Sequence, residues 1–165
     1  MIKKKLILYN SKSLYMIWFN LKKAETLLKK GDYSNAFVLK YFMINLVVTT
    51  LATFFYDESP QNWFFLFELV FLLGVTIIGT LNIYFINEKG DHKDFLPRYF
   101  VLGFIVSLRV ILIWVLPLAL LFVSTKNFIP NNFEAFERHI DLSFEILATI
   151  IFYYLLAKSF KRVAN

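Results

Sequence analysis

Arg109 stands inside a long apolar run, Tyr99 to Ser124, and a guanidinium in that setting is the strongest chemical signal in the chain. At the centre of a bilayer it costs roughly 3 kcal/mol or more unless it is paired, hydrated or turned into a helix bundle. Two roles fit. Arg109 can belong to a polar path or network, with Asn45, Glu68 and Glu145 as its candidate partners. Alternatively, its long stem lies along apolar surface while the charged head reaches the inner interface. A direct Arg109–Glu68 ion pair is disfavoured, because Cβ vectors tilt each side chain toward its own helix N-terminus, inward for one and outward for the other.

For catalysis the inventory is thin. Cysteine is absent, which removes thiolate nucleophiles, Cys-ligated zinc and disulfides. His92 and His139 both fall outside the apolar runs, so no pair of membrane-helix histidines is available to hold a haem. Asp32, Asp57, Asp91, Asp94 and Asp141 lie in connectors or at ends, and Ser107, well inside a run, has no histidine to activate it. The cluster Asp91, His92 and Asp94 has metal-ligating residue types in one short loop, a spacing too common to signify a site. Glu137, His139 and Asp141 alternate and would face different sides of a helix. The expectation is a non-enzymatic protein with no metal and no cofactor.

The elements that position these residues are membrane helices. Of the 165 residues, 58% are hydrophobic and 19% aromatic, and the mean hydropathy is +0.58, too apolar for a soluble fold to hide. A bilayer core of about 30 Å takes roughly 20 helical residues to cross. Four spans are predicted, at about Ala36–Tyr56, Trp63–Asn87, Arg98–Ser124 and Leu142–Phe160. Ser34 is placed to cap the first and Gly31 to stop the helix before it, while Asn131 and Glu134 form a candidate capping box ahead of the last. The third carries Pro117 and is longer than a crossing needs, so it should tilt or kink. The fold class is therefore all-α, an integral membrane bundle of four transmembrane helices (34–165) preceded by a basic amphipathic segment (1–33).

In that segment Leu14, Ile17, Trp18, Leu21, Ala24 and Leu28 share one helical face between Ser13 and Lys30, with Lys22, Lys23, Lys29 and Lys30 mostly opposite. Glu25 interrupts the stripe. The pattern predicts an interfacial helix on an anionic inner leaflet, with Trp18 and these lysines at the lipid surface. Leu6–Tyr9 is too short an apolar patch for a cleaved leader, so the N-terminus is expected to be retained.

Lysine and arginine gather before Lys30, at Lys89, Lys93 and Arg98, and at Lys158, Lys161 and Arg162, whereas Asp57–Asn62 has none. By the positive-inside rule both termini and the second connector are cytoplasmic, as in a bacterial inner membrane protein. The net charge of +6 is thus spent on lipid headgroups, and no basic soluble domain exists to bind nucleic acid. Gly103 and Ser107, with Gly74 and Gly79, are the small residues that permit close helix packing. The expected function is a scaffold, accessory, protective or pore-forming subunit acting through a membrane partner or a homo-oligomer. The alternative is an ion or solute transporter whose path runs through Arg109, Asn45 and Glu68.

Overall fold

The computed structural model describes residues 17–54, 63–125 and 134–165. The first connector and residues 126–133 of the third, with Asn131, lie outside these residues, and the last helix begins at Glu134, ahead of the span expected from Leu142. All regular structure in the described residues is helical: α1 (Leu21–Lys30), α2 (Asn35–Phe54), α3 (Trp63–Lys89), α4 (Phe95–Val110), a π-helical turn (Ile111–Val115), α5 (Leu116–Thr125) and α6 (Glu134–Ala164). Leu66–Lys89, Phe95–Leu121 and Ser143–Ala164 are long and apolar enough to cross a membrane, and the apolar stretch Asn35–Thr50 is shorter. The rest of the protein buries only 11%, 22% and 17% of those three windows, so their apolar surface needs a nonaqueous solvent. This is the character of an integral membrane protein.

Local sequence explains the ends. Asn20 caps α1 by accepting from the Lys23 N–H at 3.0 Å. Gly31, at φ 66°, closes it in the left-handed conformation that lets the Gly31 and Asp32 N–H groups reach the Leu28 and Leu27 carbonyls. Ser34 Oγ accepts from the Phe37 N–H at 3.2 Å at the start of α2. Pro97 sits in the first turn of α4, where a helix has no use for its missing N–H. Pro117 is different, since an α-helix would need its N–H bonded to Ile113. The chain widens just before it, the Leu116 N–H bonding to the Ile111 carbonyl, so the long helix is interrupted by a π turn.

Helix α2 packs along α4, α4 along α6, and α6 along α3, with α1 laid across α4 and α6. Helices α2 and α4 leave from one end of the molecule and α3 and α6 return to it. That end holds the α1–α2 and α3–α4 connectors and the C-terminus, and we call it the connector end. Its core contains Leu28, Phe37, Tyr41, Ile83, Ile105 and Phe160, all buried. Toward the other end the helices share fewer contacts, and Val70, Ile78, Leu120 and Val123 are exposed.

The N-terminal helix departs from expectation. It begins at Leu21, after an irregular stretch from Ile17 to Asn20, and the face read as lipid-directed is covered by protein: Leu21, Ala24 and Leu28 are buried. A helix this short holds its place by tertiary packing, and α4 and α6 supply the apolar partner that a leaflet was expected to supply. Trp18, 45% exposed, sets its ring edge against Phe104.

The glycines separate by surroundings. A Cβ on Gly79 would stand 2.4 Å from Cδ1 and 2.5 Å from Cγ of the Tyr153 ring, whereas one on Gly74 would meet nothing within 4 Å. Gly103 has only ordinary contact with Phe152, and Ser107 donates to its own helix at the Phe104 carbonyl. Gly79→Ala should therefore lower stability by about 1–3 kcal/mol through displacement of Tyr153. Gly74→Ala should be neutral or slightly stabilising, since alanine is the better helix former. Thermal unfolding of both variants in one detergent distinguishes the cases.

Candidate functional site

At the connector end charged side chains form three small networks. In the first, Arg98 is 1% exposed, one of the largest fully buried side chains in the described protein. Its Nη1 donates to Asp91 Oδ1 at 2.5 Å and its Nη2 to Asp91 Oδ2 at 2.6 Å, a bidentate pair, and Nη1 also donates to Asn87 Oδ1 at 2.9 Å. The Arg98 hydrogen bonds hold the Asp91 carboxyl below its usual range. Arg98 Nε and Asn87 Nδ2 are buried without an acceptor among the described residues.

The second network is centred on Glu25, the residue that breaks the stripe of α1. It is 8% exposed and accepts from Ser159 Oγ and from Arg162, whose Nε lies at 2.9 Å and whose Nη2 reaches the other carboxylate oxygen. The interruption in the stripe is thus the point at which α1 is clasped to the last turns of α6. A carboxylate that shares a buried face with leucines is a sequence signal for a cation on the facing element. Which cation, 137 residues away, cannot be read from a one-dimensional pattern.

The third joins the two connectors, Tyr33 Oη donating to Asp94 Oδ2 at 2.6 Å. Burial first, and then the Asp94 carboxylate beside it, push the Tyr33 phenol well above the ordinary tyrosine range. Asp94 and His92 adopt φ of 44° and 55°, a left-handed region unfavourable for residues with a Cβ. Surrounding bonds determine that conformation: the Gly90 and His92 N–H groups donate to the Asn87 carbonyl, and the Lys93 N–H donates to Asp91 Oδ1. Gly90 also faces Ala164, whose carbonyl oxygen would lie 2.6 Å from a Cβ there, so the loop and the C-terminus are closely apposed.

Asp91, His92 and Asp94 are therefore neighbours in sequence with separate partners, namely Arg98, Glu88 and Tyr33. No group of three or more His, Cys, Asp or Glu side chains among the described residues could hold a metal.

The groups singled out from the sequence are dispersed. Arg109 Nε and Nη2 donate at 3.2 and 2.7 Å to the Phe19 carbonyl, just before α1, so the guanidinium points toward the connector end. Asn45 lies on α2 and Glu68 on α3, and none of the three bonds to another among the described residues. Glu145 lines a mostly apolar cleft of about 410 Å³ between α5 and α6, with Trp114, Leu118, Val123 and Ala148 among its neighbours. Lys22, Lys23, Lys29 and Lys30 are exposed.

No family model, curated protein or solved structure matches the chain.

Two outcomes follow from these pairs. Asp91→Asn leaves the buried Arg98 charge without its counterion and should destabilise the protein by about 3 kcal/mol. Because the folded-state pKa of Asp91 is depressed, the pair's contribution is complete above the unfolded carboxylate value of about 4 and disappears as pH falls through the lower folded value. Acid unfolding of wild type and variant should converge in that window, as measured by circular dichroism. Glu25→Ala should release α1 with the spans still in place, seen as faster tryptic cleavage at Lys29 and Lys30. Unchanged cleavage would show that apolar packing alone retains the helix.

Proposed function

We propose that this protein crosses a bacterial inner membrane four times, with both termini and the connector end in the cytoplasm, and acts without enzymatic chemistry by associating with a membrane partner or a second copy. Helix α2 supplies the fourth crossing. Support for the even count comes from chain direction: α2 and α4 leave the connector end, and α3 and α6 return to it. Lys22, Lys23, Lys29, Lys30, Lys89, Lys93, Lys158 and Lys161 cluster at that end, the pattern of the positive-inside rule.

The observation that carries the association reading is the unequal packing of the two ends. At the connector end Arg98 and Arg162 are each bonded inside the chain, and Arg109, further along α4, is bonded to the Phe19 carbonyl. Beyond the π turn, α5 and α6 part around the apolar cleft, and Leu120, Leu121 and Val123 there are left exposed by the described residues. Surface of this kind serves contact with lipid and with other membrane helices, where small residues and close packing decide affinity. A transporter needs a continuous polar path, and the turn of the Arg109 guanidinium onto the Phe19 carbonyl, with no bond to Asn45 or Glu68 among the described residues, weighs against one running through all three.

Reporter fusions test the topology. Fusions after Lys30, after Gly90 and at Asn165 should read cytoplasmic, and those at Ser59 and near Asn132 external; an external Asn165 would end the four-span model. Association is tested in this cysteine-free chain by single cysteines at Leu120 or Val123. Oxidation in native membranes should give a defined cross-linked species, absent when cysteine is placed at Lys22. Monomer alone at every outward position would defeat the self-assembly branch. If Arg109 served transport, Arg109→Lys would already impair it, through loss of the planar fork.

A further inference from the structure

Between the two returning helices lies a second pocket, of about 490 Å³, lined by Asn82, Ile86 and Lys89 of α3 and by Tyr153, Tyr154 and Lys161 of α6. Its residues repeat at helical spacing, 82, 86 and 89 on one wall and 154, 157 and 161 on the other, so each set shares a face. Because α3 and α6 end together, both lysines stand at the mouth near the connector end. Asn82 and Tyr154 lie roughly 10 Å further in, at 1.5 Å per residue. From the mouth inward the walls pass from the two lysines to the apolar side chains of Ile86 and Ala157, and then to the Asn82 amide and the Tyr154 phenol.

The two lysines differ from the arginines nearby. Arg98 and Arg162 each hold a carboxylate, whereas neither Lys89 nor Lys161 is within ion-pair distance of one among the described residues. Two exposed ammonium groups lining one pocket present like charge to whatever enters it, which favours an anion. Each lysine also complements the C-terminal end of its helix dipole, an effect that needs charge alone. The dipole does not account for the apolar lining that begins directly beside the lysines.

We propose that this pocket binds one anionic phospholipid, its phosphate held between Lys89 and Lys161 at the mouth and its glycerol region and acyl chains running inward along Ile86, Ala157 and the outer face of Tyr154. A free phosphate shares the headgroup chemistry but leaves the apolar lining uncovered. Basic pockets between membrane helices on the cytoplasmic side suit lipids of this class. Tyr154, 67% exposed, provides the amphipathic ring that such interfaces favour. The inference rests on α3 and α6 crossing the bilayer with their C-terminal ends at its inner face, and is independent of whether the protein associates with a partner.

The test uses the full chain purified in a neutral detergent, its thermal unfolding followed against phosphatidylglycerol, phosphatidylcholine and inorganic phosphate. Phosphatidylglycerol should raise the midpoint and the other two should not. In Lys89→Gln/Lys161→Gln its apparent affinity should fall at least about tenfold. Lys89→Arg/Lys161→Arg should restore it, and Lys22→Gln/Lys23→Gln on α1 should leave it intact. An undiminished response in the glutamine pair, or an equal loss in the α1 pair, would show diffuse attraction and overturn the site. Equal stabilisation by inorganic phosphate would overturn the lipid assignment. Should the glutamine pair fail to fold, native mass spectrometry of the unaltered protein decides: retention of one phosphatidylglycerol in preference to phosphatidylcholine supports the site, and no retention overturns it. Reporter fusions that read wrongly overturn the topology without altering this lipid response, so the two failures are separable.

Discussion

A buried guanidinium has to be compensated where it lies, and in this protein that requirement organises a whole end of the molecule. Arg98 enters α4 one residue after Pro97 and is almost completely covered, so the chain must bring a carboxylate to it. Asp91 does so from seven residues upstream, and the loop between adopts left-handed backbone at His92 and Asp94 to present it. That loop in turn meets Tyr33 from the α1–α2 connector and Ala164 at the chain end. Removing one partner of such a pair leaves a charge in an apolar layer, the costly half of a buried salt bridge, whereas the intact pair mainly determines which arrangement is allowed.

The same logic explains α1. Ten residues make too short a helix to persist alone, and its apolar face is interrupted by Glu25. Against lipid, that carboxylate would have to stay near the headgroups. Against α4 and α6 it meets Arg162 and Ser159, and the leucines beside it are covered by the same contact. Apolar burial and ion pairing therefore favour one docking position, in which α1 joins ends of the chain remote in sequence.

Away from the connector end the described helices pack more loosely. Pro117 removes a backbone donor, the π turn takes up the mismatch, and α5 departs from α6. Water would make this half unfavourable, but lipid is as apolar as leucine and exerts no hydrophobic force to close the gap. The gradient from polar, interlocked packing to open apolar surface is what a bilayer permits in a chain of this composition.

Hydrophobic run length and local chemistry decided much of this before any folding. Three membrane-length helices, the Gly31 stop, the Ser34 cap and the break in the long helix with Pro117 all depend on neighbours within a turn or two, and such neighbours are visible in a sequence. The candidate site was less legible. Arg109 attracted attention because it is central in its run, yet its stem carries the charge back to the Phe19 carbonyl, while Arg98, nearer a helix start, became the buried cation. Glu25 was visible as an anomaly and its partner was not, because Arg162 lies at the far end of the chain. Lys89 and Lys161 share a pocket only because α3 and α6 run in the same direction and end at the same level. The sequence by itself determined which segments are apolar helices and where they stop, because those properties are set by hydrogen bonds and transfer energies within a few residues. Tertiary structure alone decided which charges are buried, which are paired and which face outward, because desolvation depends on every element that packs nearby.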